Sequence, residues 1–297
     1  MSLAGKGFAL MCVPGDTAKN KGLTTPDDIE RFDDIQYGPD KKWNVLDVYR
    51  PKNAEGKLPV LIDIHGGGWV YGDKELYQFY CMELAQHGFA VVNFTYGLAP
   101  KFTFPSSMVD TDNVVKFVFE NADKYGFDTS KVFFAGDSAG AHMAAMYACI
   151  STNPVYAENF PFDPPKGFVP TAMLLNCGVY NAEAMINSKN PIGKLMAPML
   201  GDLMGRKVTN DDLKFLSPVN YVTDKFPPCY IMTANGDFLR GQPKYLKKAM
   251  EKNGIPYKYK MYGTRKELLM HVFHCDLRKD VAHECNTDEA NYLKTFC

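Results

Sequence analysis

Ser138 stands at the centre of Gly136-Asp137-Ser138-Ala139-Gly140, after the apolar run "KVFFAG" and at the head of "SAGAHMAAMYACI". A G-x-S-x-G pentapeptide between a strand and a helix is the setting of a nucleophile elbow, a sharp strained turn that exposes the serine hydroxyl. Such a turn needs small neighbours, and Gly136, Ala139, Gly140 and Ala141 supply them. A second stretch, His65-Gly66-Gly67-Gly68-Trp69, follows "LPVLIDI". Three consecutive glycines are costly in backbone entropy. They fit a place where backbone N–H groups must approach a ligand with no side chain between. Acyl transfer requires such groups, because its tetrahedral intermediate carries an oxyanion. Phosphate binding is the rival use, but neither G-x-G-x-x-G nor the Gly-Lys-Ser/Thr pattern occurs.

A serine in this role needs a base and an acid, and the chain order for this kind of elbow is Ser, then Asp or Glu, then His. Asp237 lies just past the apolar run "PPCYIMTANG", which suits the acid; the competing role is an N-cap for the helix that follows. Beyond "IPYKYKMYG", the stretch "KELLMHVFHCD" holds His271 and His274, and the residues themselves leave both as candidates for the base. His283 lies in a polar stretch and His87 at a helix end, while His142 precedes Asp237 and so falls outside the required order. There is no H-E-x-x-H or clustered ligand pattern, so no metal site is read. The eight cysteines form no C-x-x-C pair, and several sit inside apolar runs as small buried hydrophobes.

These residues need a scaffold, and the chain alternates strands with helices. "LPVLIDI", "FAVVNFTY", "KVFFAGD", "TAMLLNCGVY" and "PPCYIMTANG" are continuous apolar runs, as in strands buried on both faces. "LYQFYCMELAQHG", "SSMVDTDNVVKFVFENADKYG", "PKYLKKAMEKNG" and "DEANYLKTFC" read as the helices among them. The expected class is α/β, with a mostly parallel sheet covered by helices on both faces. An antiparallel hairpin is expected from "IERFDDIQYG" and "WNVLDVYRP". The 297 residues are read as one domain, with a helix and loop in 1–28 and a Met- and Leu-rich helical insertion over 181–221. A net charge of −1 and the lack of a basic stripe argue against nucleic acid as a partner. No run of about 18 apolar residues predicts a membrane span. Scattered thiols and no convincing signal peptide point to the cytoplasm.

In order, "HGGGW", "GDSAG", "TANGDFL" and "HVF" resemble the hormone-sensitive-lipase-like branch of the α/β-hydrolase carboxylesterases. "FTYGLAPKFTFPSSMVD" is similar to that family's "YRLAPE…FP" stretch, and the resemblance covers most of the chain after Asp40. It implies an α/β-hydrolase fold with a small helical cap built from 1–28 and 181–221. It implies Ser138 as nucleophile, Asp237 as acid and His271, through His-Val-Phe, as base. The oxyanion donors would be the N–H groups of Gly67, Gly68 and Ala139. The implied activity is hydrolysis of short-chain acyl esters through an acyl-enzyme, with no cofactor and a small-molecule ester as partner. An amidase, formamidase or small peptidase on the same residues, and a non-catalytic hydrolase-fold receptor, are the alternatives. Trp69, Tyr71, Tyr180 and Phe273 are candidate pocket residues that would serve equally as core. A homodimer is compatible with the sequence. The departures from the family are Gly97 in place of Arg, Lys101 in place of Glu, Ala141 in place of a glycine, and a longer stretch from Tyr262 to His271.

Overall fold

The computed structural model describes residues 1–187 and 191–297, the side chains of 191–195 excepted. Its centre is an eight-stranded sheet. Strands β1 (Ile29–Gln36) and β2 (Val45–Pro51) form the expected antiparallel hairpin, with an irregular register between Phe32 and Ile35. The others are β3 (Leu58–Ile64), β4 (Ala90–Phe94), β5 (Phe127–Asp137), β6 (Met173–Asn176), β7 (Cys229–Ala234) and β8 (Tyr257–Tyr262). The strand order is β1-β2-β4-β3-β5-β6-β7-β8, and every pairing from β4 through β8 is parallel. This is an α/β-hydrolase fold. The run of β-branched and large apolar residues is what a sheet buried on both faces demands. Along β3, Val60, Ile62 and Ile64 enter one core cluster and Leu61 the other; along β5, Phe134 and Phe133 divide in the same way.

The helices are α1 (Leu3–Asn20), α2 (Gln78–Gln86), α3 (Ser106–Glu120), α4 (Ala122–Tyr125), α5 (Ala139–Thr152), α6 (Pro154–Ala157), α7 (Ala182–Ile186), α8 (Pro191–Met204), α9 (Asn210–Phe215), α10 (Pro243–Lys252) and α11 (Asp280–Lys294). None of those described is long and apolar enough to cross a membrane. Helix α11 begins earlier than "DEANYLKTFC" suggests, because Asn286 on its inner face is wholly buried and breaks the apolar period.

Helix α1 spans 18 residues although it contains Gly5, Gly7, Gly15 and Pro14, which are poor helix formers. Tertiary contacts compensate. Ser2 caps the helix by accepting from Gly5 N–H, and its own N–H and hydroxyl donate to Asp202 on α8 at 2.7–2.8 Å. The expected insertion over 181–221 contains α7, α8 and α9, and α1 packs against α8; Ser188–Asn190 within it lie outside the described residues.

Register decides what meets at the sheet edge. Ile64 pairs with Gly136, Asp137 with Asn176, Asn176 with Met232, and Ala234 with Tyr262. The C-terminal ends of β3, β5, β6, β7 and β8 therefore deliver His65, Ser138, Cys177, Asp237 and the 263–276 loop to one edge. In open α/β sheets that is where ligands bind.

Candidate active site

Ser138 follows β5 directly with φ 53 and ψ −113, and α5 starts at the next residue. Left-handed backbone at a non-glycine residue costs roughly 1–3 kcal/mol and persists only where the surroundings impose it. Here the Ser138 N–H donates to Asn176 O on β6 at 2.9 Å. A Cβ at Gly136 would fall 2.7 Å from Gly140 C, and one at Gly140 would run into the Ile64 carbonyl. Small flanking residues are thus a steric condition of the turn.

His271 lies against this hydroxyl. Its Nε2 is 3.0 Å from Ser138 Oγ, and its Nδ1 is 2.7 Å from Asp237 Oδ1. Asp237 is fully buried. It accepts from Leu239 N–H at 2.8 Å and from Thr233 Oγ1 at 2.7 Å. Burial alone would raise its carboxyl. The charge and hydrogen bond of His271, with the Leu239 and Thr233 donors, outweigh it and hold the group below the usual carboxylate range. Asp237 is not the helix cap that its sequence context allowed: α10 starts six residues later and has no side-chain cap bond. The long stretch after Tyr262 folds onto Asn235. That side chain donates to Thr264 O at 2.8 Å and Glu267 O at 2.9 Å, and accepts from Leu269 N–H at 2.8 Å. Nothing local in "TANGD" marks Asn235 for this task, since its partners lie about 30 residues away.

The glycine run lies on the other side of Ser138. Gly67 and Gly68 have φ of 110 and 59, and Val70 and Tyr71 N–H both close back on Gly67 O. Among the described residues, the N–H groups of Gly67, Gly68 and Ala139 donate to no acceptor. His65 is buried and stacked on Tyr96 at 4.1 Å; burial pulls its pKa down to about 4, so it is neutral. Asp137, unremarked in the sequence beyond its place in the motif, ties the run to the elbow. Its carboxylate accepts from Gly66 N–H at 3.0 Å and Tyr77 Oη at 3.1 Å. Burial pushes its carboxyl up to about 6, against the opposing charge of His271 and the Tyr77 hydrogen bond.

A cavity of about 300 Å³ opens onto Ser138 and His271. Helix α1 forms one wall through Phe8, Met11, Asp16 and Lys19, and the loop around Met270 and Phe273 forms the other. Tyr71 and Phe273 are among the residues that line it. Trp69 and Tyr180 do not: both belong to the hydrophobic core, with Tyr180 Oη donating to Leu175 O. Their predicted pocket role is corrected accordingly. Asp16, paired with Lys19 of its own helix at 2.8 Å, accepts from Tyr71 Oη at 3.0 Å, and this hydrogen bond fastens α1 beside the glycine run. Among the described residues, Cys177, Asp237 and His271 alone bring three metal-type donor atoms together, and the last two are hydrogen-bonded to each other.

His274 is not in the cavity. It is wholly buried behind the sheet edge, 3.3 Å from Asn176 Nδ2, and burial draws its pKa down to about 3. Its neighbour Tyr80 donates to Glu289 at 2.8 Å. Burial pushes the Glu289 carboxyl up to about 8, against hydrogen bonds from Tyr80 and Cys285. An unfolded glutamate titrates near about 4.3. Between these values the folded state keeps a proton that the unfolded state has lost, so this group makes stability fall as pH rises. Glu289→Gln removes the dependence. In urea unfolding, the stability of the variant relative to the parent should increase from about pH 5 to about pH 8; a pH-independent difference would contradict this.

The BD-FAE family model matches residues 46–241. The chain is 31% identical over 210 residues to the Mycobacterium tuberculosis esterase LipQ, covering 69% of this chain and 48% of that protein. It is 26% identical over 235 residues to the probable carboxylic ester hydrolase LipM of the same organism, covering 76% and 53%. It spans about half the length of these curated relatives. Among solved structures, esterase B from Lactobacillus rhamnosis superposes with a TM-score of 0.89 at 26% identity, over 98% of this chain and 95% of that one. The matching family model is BD-FAE rather than the hormone-sensitive-lipase-like branch that the motifs resemble. An α/β-hydrolase sheet, with a match running from β2 past Asp237, makes this chain a member of the BD-FAE family.

Proposed function

We propose that the protein is a serine carboxylesterase acting on short-chain acyl esters. The observation that carries this reading is the unbroken line from Ser138 Oγ through His271 to Asp237, at 3.0 and 2.7 Å. His271 Nε2 takes the Ser138 proton as Oγ attacks the ester carbonyl. Asp237 holds the proton on Nδ1 and stabilises the imidazolium. The carbonyl oxygen, now an oxyanion, is received by the N–H groups of Gly67, Gly68 and Ala139, each worth roughly 3 kcal/mol in the transition state. The imidazolium then protonates the departing alcohol. Water, deprotonated by the same ring, attacks the acyl-enzyme and frees the acid. No step calls for a cofactor.

A cavity of about 300 Å³ suits short acyl and alcohol groups. Helices α1 and α8 act as its cap, α1 contributing a wall and α8 placing Met199 against Gly68. Lactobacillus rhamnosis esterase B, the structural relative, was captured with a tributyrin phosphonate inhibitor. The test is a series of p-nitrophenyl esters from acetate to laurate, with a fluorophosphonate probe to mark the serine. Labelling at Ser138 and turnover that falls with chain length are expected; labelling elsewhere, or none, overturns the reading.

Asn235 gives a second test. Asn235→Ala removes three hydrogen bonds to the 264–269 segment and should lower kcat roughly tenfold through a less well held base. Steady-state kinetics on p-nitrophenyl butyrate check it, and an unchanged kcat would mean that the loop needs no such clamp.

A further inference from the structure

Two non-glycine residues beside the acid and base have left-handed backbone: Cys177 with φ 48, directly after β6, and Val272 with φ 60, directly after His271. For a β-branched residue that is a marked departure from ordinary backbone. The two residues meet at one atom. Cys177 Sγ interacts with both the Asp237 carboxylate and the Val272 N–H. The sulfur, a carboxylate oxygen of Asp237 and a ring nitrogen of His271 all lie within 4.8 Å of one another. The side chain is fully buried, and the Cys177 N–H donates to Met232 O at 2.8 Å on β7, the strand that leads to Asp237. A thiol that merely filled space would not need strained backbone on both sides of it.

We propose that Cys177 is a positioning residue for the acid–base pair: its thiol donates to the Asp237 carboxylate and accepts from the Val272 N–H, locking the acid to the loop that carries the base. The assignment rests on the proposed triad. Burial keeps the thiol protonated and therefore a donor. The other titratable groups acting on the pair are Asp137 and His274, which interact with His271, and Tyr180 and Tyr259, which interact with Asp237. None of these changes in the variants below.

The experiment compares Cys177→Ala, Cys177→Gly and Cys177→Ser on p-nitrophenyl butyrate, with rates normalised to sites titrated by a fluorophosphonate. Cys177→Ala and Cys177→Gly should lower kcat roughly tenfold with KM within about twofold. Without the thiol donor the carboxylate holds the imidazolium more strongly, so the acid limb of kcat/KM should move to higher pH. Cys177→Ser keeps a donor and should restore both kcat and the acid limb. Gly relieves the left-handed backbone while removing the thiol, so it also carries the test should Ala fail to fold. Parental kcat and pH profile in Cys177→Gly, or equal impairment of all three variants with no movement of the acid limb, would overturn the proposal. Failure of the triad reading is distinct: Ser138→Ala would then remain active whatever the Cys177 variants do.

Discussion

Ser138→Ala is expected to lower kcat by roughly 10⁵- to 10⁶-fold while leaving the fold intact. In the proposed mechanism the hydroxyl is the attacking atom, and among the described residues no other side chain is hydrogen-bonded to His271 Nε2, which lies 3.0 Å from it. The backbone bond that holds the turn, Ser138 N–H to Asn176 O, does not involve the side chain and survives. His271→Ala should cost about as much, and the double variant no more than either alone, because residues acting as one unit are far from additive. Asp237→Asn should cost roughly 10⁴-fold, since the amide no longer favours the tautomer that leaves Nε2 free to accept a proton. Single-turnover and steady-state rates, with circular dichroism for folding, check the set. Additive losses would mean that the three side chains do not work together.

The second large effect is at the glycine run. Gly67→Ala should lower kcat by roughly 10²- to 10³-fold, the range seen when an oxyanion donor is lost. At φ 110 an alanine is strained, and its Cβ would run into the Tyr71 carbonyl, a backbone atom with little freedom to move. The turn from Gly67 to Tyr71 would open and take the Gly67 N–H out of line. It would also loosen the Tyr71–Asp16 bond that holds α1 over the cavity. Gly68→Ala is the comparison: the Cβ there meets the terminal methyl of Met199, which can swing away, at a milder φ of 59. A smaller loss is expected for Gly68→Ala than for Gly67→Ala. The reverse order would show that side-chain crowding, not backbone strain, governs the loop.

How the elements were legible follows from the range of the forces that make them. The buried strands, the strand–turn–helix at Ser138 and the glycine run could be read from neighbouring residues, because steric conditions within a few positions shape them. The hairpin of β1 and β2 was legible for the same reason. Helix α1 was harder: its glycines and Pro14 argue against a helix, and contacts to Asp202 and Tyr71 reverse that local preference. The start of α11 is less legible because wholly buried Asn286 interrupts the inner face formed by Ala282, Cys285, Ala290 and Leu293, and only its bonds to Glu83 and the His274 carbonyl justify burying it.

The sequence by itself determined the class of fold, the serine at its elbow, the glycine run and the chain order of the acid and the two histidines. Tertiary structure decided which histidine meets the serine, across 133 residues of chain, and sent His274 into a buried polar network. It also turned Trp69 and Tyr180 inward, tied Asp137 to Gly66, clamped the 264–269 segment on Asn235 and set Cys177 behind the acid. The physical reason is the same in each case. Local sterics act through covalent neighbours and leave a mark in the sequence, whereas a hydrogen bond or a burial choice depends on sheet register and packing, which exist only once the chain has folded.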